Sequence, residues 1–488
     1  MPYGWPMVPP RPGVRRLALL LAGCLAGQLA TAPTLQAAPI RLPEMGLGAA
    51  AHLPPEEEAR LGEAFMRSLR RQARLMEDPL VESYVQALGH RLVAVTEAEP
   101  GHFAFFVVRD RRVNAFAGPW GYIGIHTGLL LAVRGEDELA AVLAHEIAHV
   151  TQRHLARAME QSRRLGLPTA AALLAAVLLG ARDPALGQAA AVAAAAAGQQ
   201  LMLNFSRAEE AEADRAGVAL LARAGYDPRA MPAFFERLWR RSRLQEGELP
   251  ALLRTHPVTT ERIADTRSRA EALPRPGTRP GPESFRLIQA RVAVLTAADP
   301  MAAARRLDPE APWGRYGRAL ALILAGRAGE ARALVEAMAA EHPEEVPYLL
   351  LKGRLELEED RPGAALETYR RALRLYPHHY ALTAAYAQAL LRAGRPEQAR
   401  ELLRDHLRYR EPTPLLYRLL ARAEAGAGRA VEAQLSLAEL AYLEGRTAEA
   451  VARLERALRL TPRDDLRRLA RIRARLKSLR RALAQEAR

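Results

Sequence analysis

Four alanines set the frame of this chain. Ala331, Ala365, Ala399 and Ala433 end the segments "GRAGEA", "DRPGAA", "GRPEQA" and "GRAVEA", and each interval between them is 34 residues. A further "GRTAEA" ends at Ala450, half a period later. Each unit reads as helix, short Gly/Arg turn, helix, and Pro343, Pro377 and, less regularly, Pro412 close the first three units. A unit this short cannot bury its own apolar face. It must stack on its neighbours, with a small residue where paired helices cross.

A 34-residue helix–turn–helix period with alanine at the crossing resembles the tetratricopeptide repeat. The resemblance implies a stacked helical superhelix that binds peptides or partner proteins. The repeats occupy residues 285–463. The stretch "LPRPGTRPGPES", residues 273–284, is dense in Pro and Gly and reads as a linker. With 488 residues the chain is too long for one ordinary domain, and a second unit is expected at 55–272.

There the period changes. "FAFFVVRD" and "NAFAGPWGYIGIHTGLL" read as short strands separated by turns. "EDELAAVLAHEIAHVTQRHLARAM" reads as one long amphipathic helix. On that helix His145 and His149 are about 40° apart, with Glu146 beside them. Two imidazoles on one face can bind a zinc ion, while the carboxylate stands next to it as a base. His154 lies about 180° round from His145 if the helix continues, so it is expected to point away, as a surface residue or a support behind the ligands. The remaining ligand is expected from a second helix, "SRAEEAEADRAGVALLARAGYDP", where Glu210 and Asp214 share a face. One carboxylate there would bind metal. Asp214 would accept a hydrogen bond from a ligand histidine and so orient it.

"HEIAH", then "EAEAD", then "THPVTTERI" together resemble the gluzincin peptidases that include HtpX and the CAAX prenyl endoproteases. The resemblance implies an α+β zincin-like metalloprotease domain, followed here by the all-α tetratricopeptide-repeat superhelix. It implies one Zn2+ per chain. It makes Glu210, at the head of the Glu-x-x-Ala-Asp pattern, the third ligand rather than Glu212. His256 becomes a fourth ligand that would hold the site latent, the other reading being a cap on the helix that follows it. The segment Asn114, Ala115, Phe116 becomes the edge strand on which an extended substrate pairs. Membrane members of the family carry two transmembrane helices between the histidine pair and the glutamate. Here residues 167–203 fill that slot with two shorter apolar helices, a buried hairpin or a membrane-leaning pair.

Arg15 and Arg16 precede an apolar run from Leu17 to Ala30, and "LQAA" follows, so a signal peptide over 1–37 and a loose leader over 38–54 are expected. Export to the periplasm of a Gram-negative bacterium follows. "LAGC" would alternatively make Cys24 a lipidated anchor. The net charge is +15, and nine Lys/Arg against three acids crowd the last segment, 464–488. A basic C-terminal helix of this kind suits an acidic partner or a peripheral membrane contact. No aromatics interleave these charges, so nucleic-acid binding is not expected. By resemblance, the substrates are unfolded or misassembled outer-membrane β-barrel proteins, with the repeats recruiting them or the β-barrel assembly machinery. The alternative is a chaperone or scaffold with a silent zinc site.

Overall fold

In the computed structural model the described residues are 54–164, 207–244, 250–277 and 282–486. The expected signal peptide, the leader up to residue 53, Cys24 and the apolar hairpin at 167–203 lie outside them. Among the described residues no helix is long and apolar enough to cross a membrane.

Two helices, Pro55–Gln72 and Pro79–Val93, precede the sheet. The second is started by Asp78, whose carboxylate accepts from the Val81 N–H at 3.1 Å, with proline in the first turn. The sheet has three strands where the sequence suggested a simpler strand–turn–strand order: β1 (Ala104–Val108), β2 (Ala115–Ala117) and β3 (Tyr122–His126). The order is β1-β3-β2, with β1 parallel and β2 antiparallel to β3. The division comes from Trp120 and Gly121, whose positive φ values of 60° and 69° turn the chain between β2 and β3. Among the described residues β2 pairs on one side only, so it is an edge strand.

Behind the sheet lies the helix Glu136–Thr151, buried continuously from Glu138 to His149. Its first turn carries Glu136, Asp137 and Glu138, which suit the helix dipole. It is not the single long helix read from the sequence. Arg153 takes a left-handed φ of 54°, and a separate helix, His154–Arg164, starts after it. No Gly or Pro marks the break. The burial of His154 accompanies it. The helix Arg207–Arg223 packs on the Glu136–Thr151 helix, and Gly217 faces the backbone of Ala144 and His145. A Cβ there would lie 3.3 Å from the His145 backbone nitrogen and 2.9 Å from Met231 Cε.

Downstream, helices start at Pro312, Val346, Tyr380 and Pro414, the same 34-residue interval read from the sequence. Ala331, Ala365, Ala399, Ala433 and Ala450 are all buried. The recurrent residue before each turn arginine is held left-handed: Gly326, Asp360, Gly394, Gly428 and Gly445 have φ between 55° and 74°. That conformation ends one helix so its partner can fold back. The helix Pro282–Thr296 takes in the end of the Pro/Gly linker.

The two parts share one apolar core. A continuous cluster runs from Val85 and Leu143 through Phe285 and Ile288 to Leu382 and Leu416. Polar contacts reinforce the seam: Arg291 forks onto Asp78 at 2.8 Å, and Gln289 donates to the carbonyls of Leu130 and Val133. At the far end Arg67 donates to Tyr442, Arg70 to the Leu443 carbonyl and Arg71 to the Gly445 carbonyl. The solenoid therefore closes back onto the helix Pro55–Gln72.

Candidate metal centre

The helical spacing of His145 and His149 puts both imidazoles on one face, and the close packing at Gly217 brings the Arg207–Arg223 helix against it. His145 Nε2 lies 3.0 Å from His149 Nε2 and 3.3 Å from His256 Nδ1. Glu210 Oε1 lies 2.8 Å from His256 Nδ1 and 3.5 Å from His149 Nε2, and Glu210 Oε2 lies 3.5 Å from His145 Nε2. One ligand atom from each of His145, His149, Glu210 and His256 falls within 4.8 Å of the others, and all four residues are buried. This is the one such group among the described residues. Three imidazole nitrogens and a carboxylate converging without solvent are a donor set that fits a divalent transition metal.

His145 and His149 are each held from behind. Asp214 Oδ1 lies 3.0 Å from His145 Nδ1, leaving Nε2 to face the centre. His154 is turned away from the centre, as its spacing suggested, but it is fully buried rather than at the surface. Its Nδ1 lies 2.7 Å from His149 Nδ1, and its Nε2 lies 3.2 Å from Glu212, which Arg157 also holds. The helix break at Arg153 makes this possible. On a continuous helix His154 could not fold back against His149.

The comparisons with known proteins agree with this geometry. Residues 79–270 match the model of Peptidase family M48, and residues 356–423 match a tetratricopeptide repeat model. The chain is 34% identical over 451 residues to the beta-barrel assembly-enhancing protease of Escherichia coli, covering 90% of this chain and 91% of that one. It is 40% identical over 339 residues to a putative beta-barrel assembly-enhancing protease of Vibrio cholerae, covering 68% and 69%. It is also 34% identical over 180 residues to the mitochondrial metalloendopeptidase OMA1 of Schizosaccharomyces pombe, covering 37% of this chain and 50% of that one. The chain belongs to the beta-barrel assembly-enhancing protease family. It is thus a metallopeptidase with a helical repeat domain.

In this family member the electrostatics of the centre are strongly coupled. Burial works against a charged His145, but hydrogen bonds to Asp214 and Glu210 outweigh it and push the imidazole up to about 10. Burial and the neighbouring His145 and His256 hold His149 well below its ordinary value. Burial alone would raise Glu210, yet His256 and His145 bring it well below the carboxylate range. Burial raises the Glu146 carboxyl against the pull of His256 and His145. Glu146 is fully buried, and neither of its oxygens takes a well-formed hydrogen bond. His256 Nε2 lies 3.5 Å from Glu146 Oε1, so His256 stands between the carboxylates of Glu146 and Glu210. The following helix is capped by Thr259, which accepts from the Arg262 N–H, so that capping role does not fall to His256.

Arg262 escaped the sequence reading. Its guanidinium forks onto Asp214 at 2.7 and 2.9 Å, reaches Glu210 Oε2 at 2.8 Å and donates to the Pro257 carbonyl at 2.7 Å. It lies five residues past Pro257 of the "HP" pair, in the first turn of the helix Thr260–Glu271. That proximity was the available signal.

The candidate edge strand lies beside this centre. Ala115 and Phe116 belong to β2, and Asn114 precedes it, all three buried. Phe65 stacks edge-on against Phe116, which fixes the strand against the first helix.

Proposed function

We propose that this chain is an exported zinc endopeptidase acting on unfolded or misassembled outer-membrane β-barrel proteins. In this reading His145, His149 and Glu210 hold zinc, His256 is a fourth ligand, and Asp214 orients His145. When bound, zinc polarises the scissile carbonyl and lowers the pKa of water toward about 7. Glu146 then takes the proton of the attacking water and passes it to the departing amine. Its buried setting, which disfavours the charged form, suits a group that must bind and release a proton. The substrate lies extended and antiparallel on the free edge of β2, with Asn114, Ala115 and Phe116 supplying the strand. The repeats recruit the substrate or the assembly machinery, and the site of action is the periplasm. One observation carries the reading: one ligand atom from each of four buried residues converges beside the buried carboxylate of Glu146, whose oxygens take no well-formed hydrogen bond.

The test is Glu146→Gln. Cleavage of an unfolded β-barrel protein is expected to fall by about 10²–10⁴-fold while zinc content stays at one per chain. Chelation should abolish cleavage, and added zinc should restore it. Undiminished cleavage by the variant or by the chelated protein would sink the peptidase reading.

A second reading, a chaperone with a latent centre, is favoured by His256, because catalytic zinc sites keep a position open. His256→Ala is expected to raise peptidase activity above wild type with zinc retained. Unchanged or lower activity in a zinc-loaded variant counts against a latent resting state.

A further inference from the structure

The helix Leu466–Glu486 is the last of the solenoid, and among the described residues its outer side is uncovered. Its inner side carries Leu469, Ile472, Leu476 and Leu479, all buried against the helices before it. Its cations fall into two groups. Arg468, Arg475 and Arg480, at the margins of the buried side, are taken up by the fold. They pair with Glu432, Glu439 and Glu455 at 3.5, 2.6 and 2.8 Å. Arg467, Arg471, Arg473, Lys477 and Arg481 are exposed, and among the described residues none of them is in an ion pair. At about 100° per residue, Leu466, Arg467, Arg471, Lys477 and Arg481 fall within one arc of about 140°, opposite the buried side. Alanine and serine fill the rest of that arc, so about 21 Å of helix presents cations and no acid. Glu486, the one acid of this helix, turns inward to Arg67 at 3.5 Å and Thr447 at 2.9 Å. A terminal cap that served solubility alone would mix both signs on its outer face.

The turn into this helix adds a second observation. Leu466 is 71% exposed, more than any other large apolar side chain among the described residues, and Leu460, at the end of the preceding helix, is 45% exposed. Arg459, Arg463 and Arg467 flank the two leucines and are exposed, again outside any ion pair among the described residues. Asp465 is engaged by Arg468 at 3.1 Å, which leaves Asp464 as the acid of that turn. Leucines in water between arginines fit a surface that is anionic at its face and apolar just beneath. An acidic protein would answer the charges and leave the leucines without a purpose. We infer that this face docks the protein on an anionic lipid surface, with Arg467, Arg471, Lys477 and Arg481 against lipid phosphates and Leu466 entering the acyl boundary. The helix lies on the surface and does not sink into it, because its apolar stripe is already buried in the solenoid. The attachment is therefore peripheral, and salt weakens it.

The experiment uses the full, zinc-loaded chain and vesicles of phosphatidylcholine, either alone or with about 40% phosphatidylglycerol. The difference between the two vesicle types is read by co-sedimentation, so apolar binding by other parts of the chain cancels. Wild type should favour the anionic vesicles, and the preference should fade between about 0.1 and about 1 M salt, where the screening length falls from roughly 10 to roughly 3 Å. Changing Arg467, Arg471, Lys477 and Arg481 together to Gln should reduce the preference by about tenfold or more. A control of equal charge changes the exposed Arg318, Arg371, Arg374 and Arg422 to Gln and should leave it within about twofold. Leu466→Trp should give emission shifted to the blue, relative to wild type, with anionic vesicles and not with polyglutamate. All these positions are exposed, so thermal midpoints should stay at the wild-type value. Equal losses in the two fourfold variants would mean that net charge alone attracts the chain, and the docking face falls. It falls too if wild type does not prefer anionic vesicles. Polyglutamate that binds as tightly as the vesicles, with no shift at Leu466→Trp on lipid, would put an acidic protein in place of the membrane.

Discussion

Arg262 engages two carboxylates of the Arg207–Arg223 helix, Asp214 and Glu210. It neutralises Asp214 and Glu210 in a site that is almost dry, and it is itself only 8% exposed. Burial disfavours its charge, but Asp214 and Glu210 raise its pKa above the ordinary arginine value. Removing one partner of such a group leaves the other charges uncompensated, which costs about 3–5 kcal/mol. Arg262→Ala is therefore expected to lower the thermal midpoint clearly and to weaken zinc binding, read by differential scanning calorimetry and by competition with a chelating dye. Wild-type zinc affinity in the variant would show that Asp214 keeps His145 in place unaided. This residue was not legible because the chain carries 70 Lys and Arg, and nothing in the linear order distinguishes the one that turns inward. His145, Glu146 and His149 were legible because their relation is local, set by the turn of one helix. Asp214 was placed by the same helical logic relative to Glu210, and it lies 3.0 Å from His145.

At the scale of elements, two features decide where those residues meet. The break at Arg153 converts one expected helix into two and turns His154 back onto His149. The helix crossing at Gly217 sets how near Glu210 comes to the histidines, because Gly217 lies seven residues, about two turns, beyond Glu210 on the same helix. Gly217→Val is expected to force the helices apart. Overpacking of this kind costs about 1–3 kcal/mol. It should also lower zinc affinity although no ligand is changed. Zinc binding equal to wild type in a folded variant would mean that the crossing is adjustable. The glycine was visible in the sequence, but its role was not, since a helical glycine gives no sign of what packs against it. The repeats behaved differently. Their turns and buried alanines recur at the interval read directly from the chain, because each unit needs the same left-handed turn and the same small residue.

At the scale of the whole molecule, the linker suggested separable domains, yet the apolar cluster runs unbroken across the junction. The first helix of the catalytic part is gripped by the end of the solenoid at Tyr442–Gly445, and Arg418 joins Glu77 to Glu444. Calorimetry of the full chain should accordingly show one cooperative transition. A fragment ending at Gly277 should lose solubility, because Leu130 and Leu143 would lose the cover of Phe285, Ile288 and their neighbours. Two resolved transitions, or a stable catalytic fragment, would argue for independent domains. This coupling also places Glu58, which Arg153 approaches at 3.5 Å, on the same helix that the repeats hold by Arg67, Arg70 and Arg71.

By itself the sequence determined the repeat architecture, the shared helix face of His145 and His149, the place of Glu146 beside them, and the helix that carries Glu210. All of these rest on short periods, 34 residues or 3.6, that the backbone repeats without help from elsewhere. Tertiary structure alone decided how His154 and Arg262 serve the centre, how close Glu210 and His256 approach, and whether the two halves stand apart. Those outcomes depend on side chains distant in the chain sharing a buried, low-dielectric space. There an unpaired charge is too costly to leave, and one close helix contact fixes several distances at once.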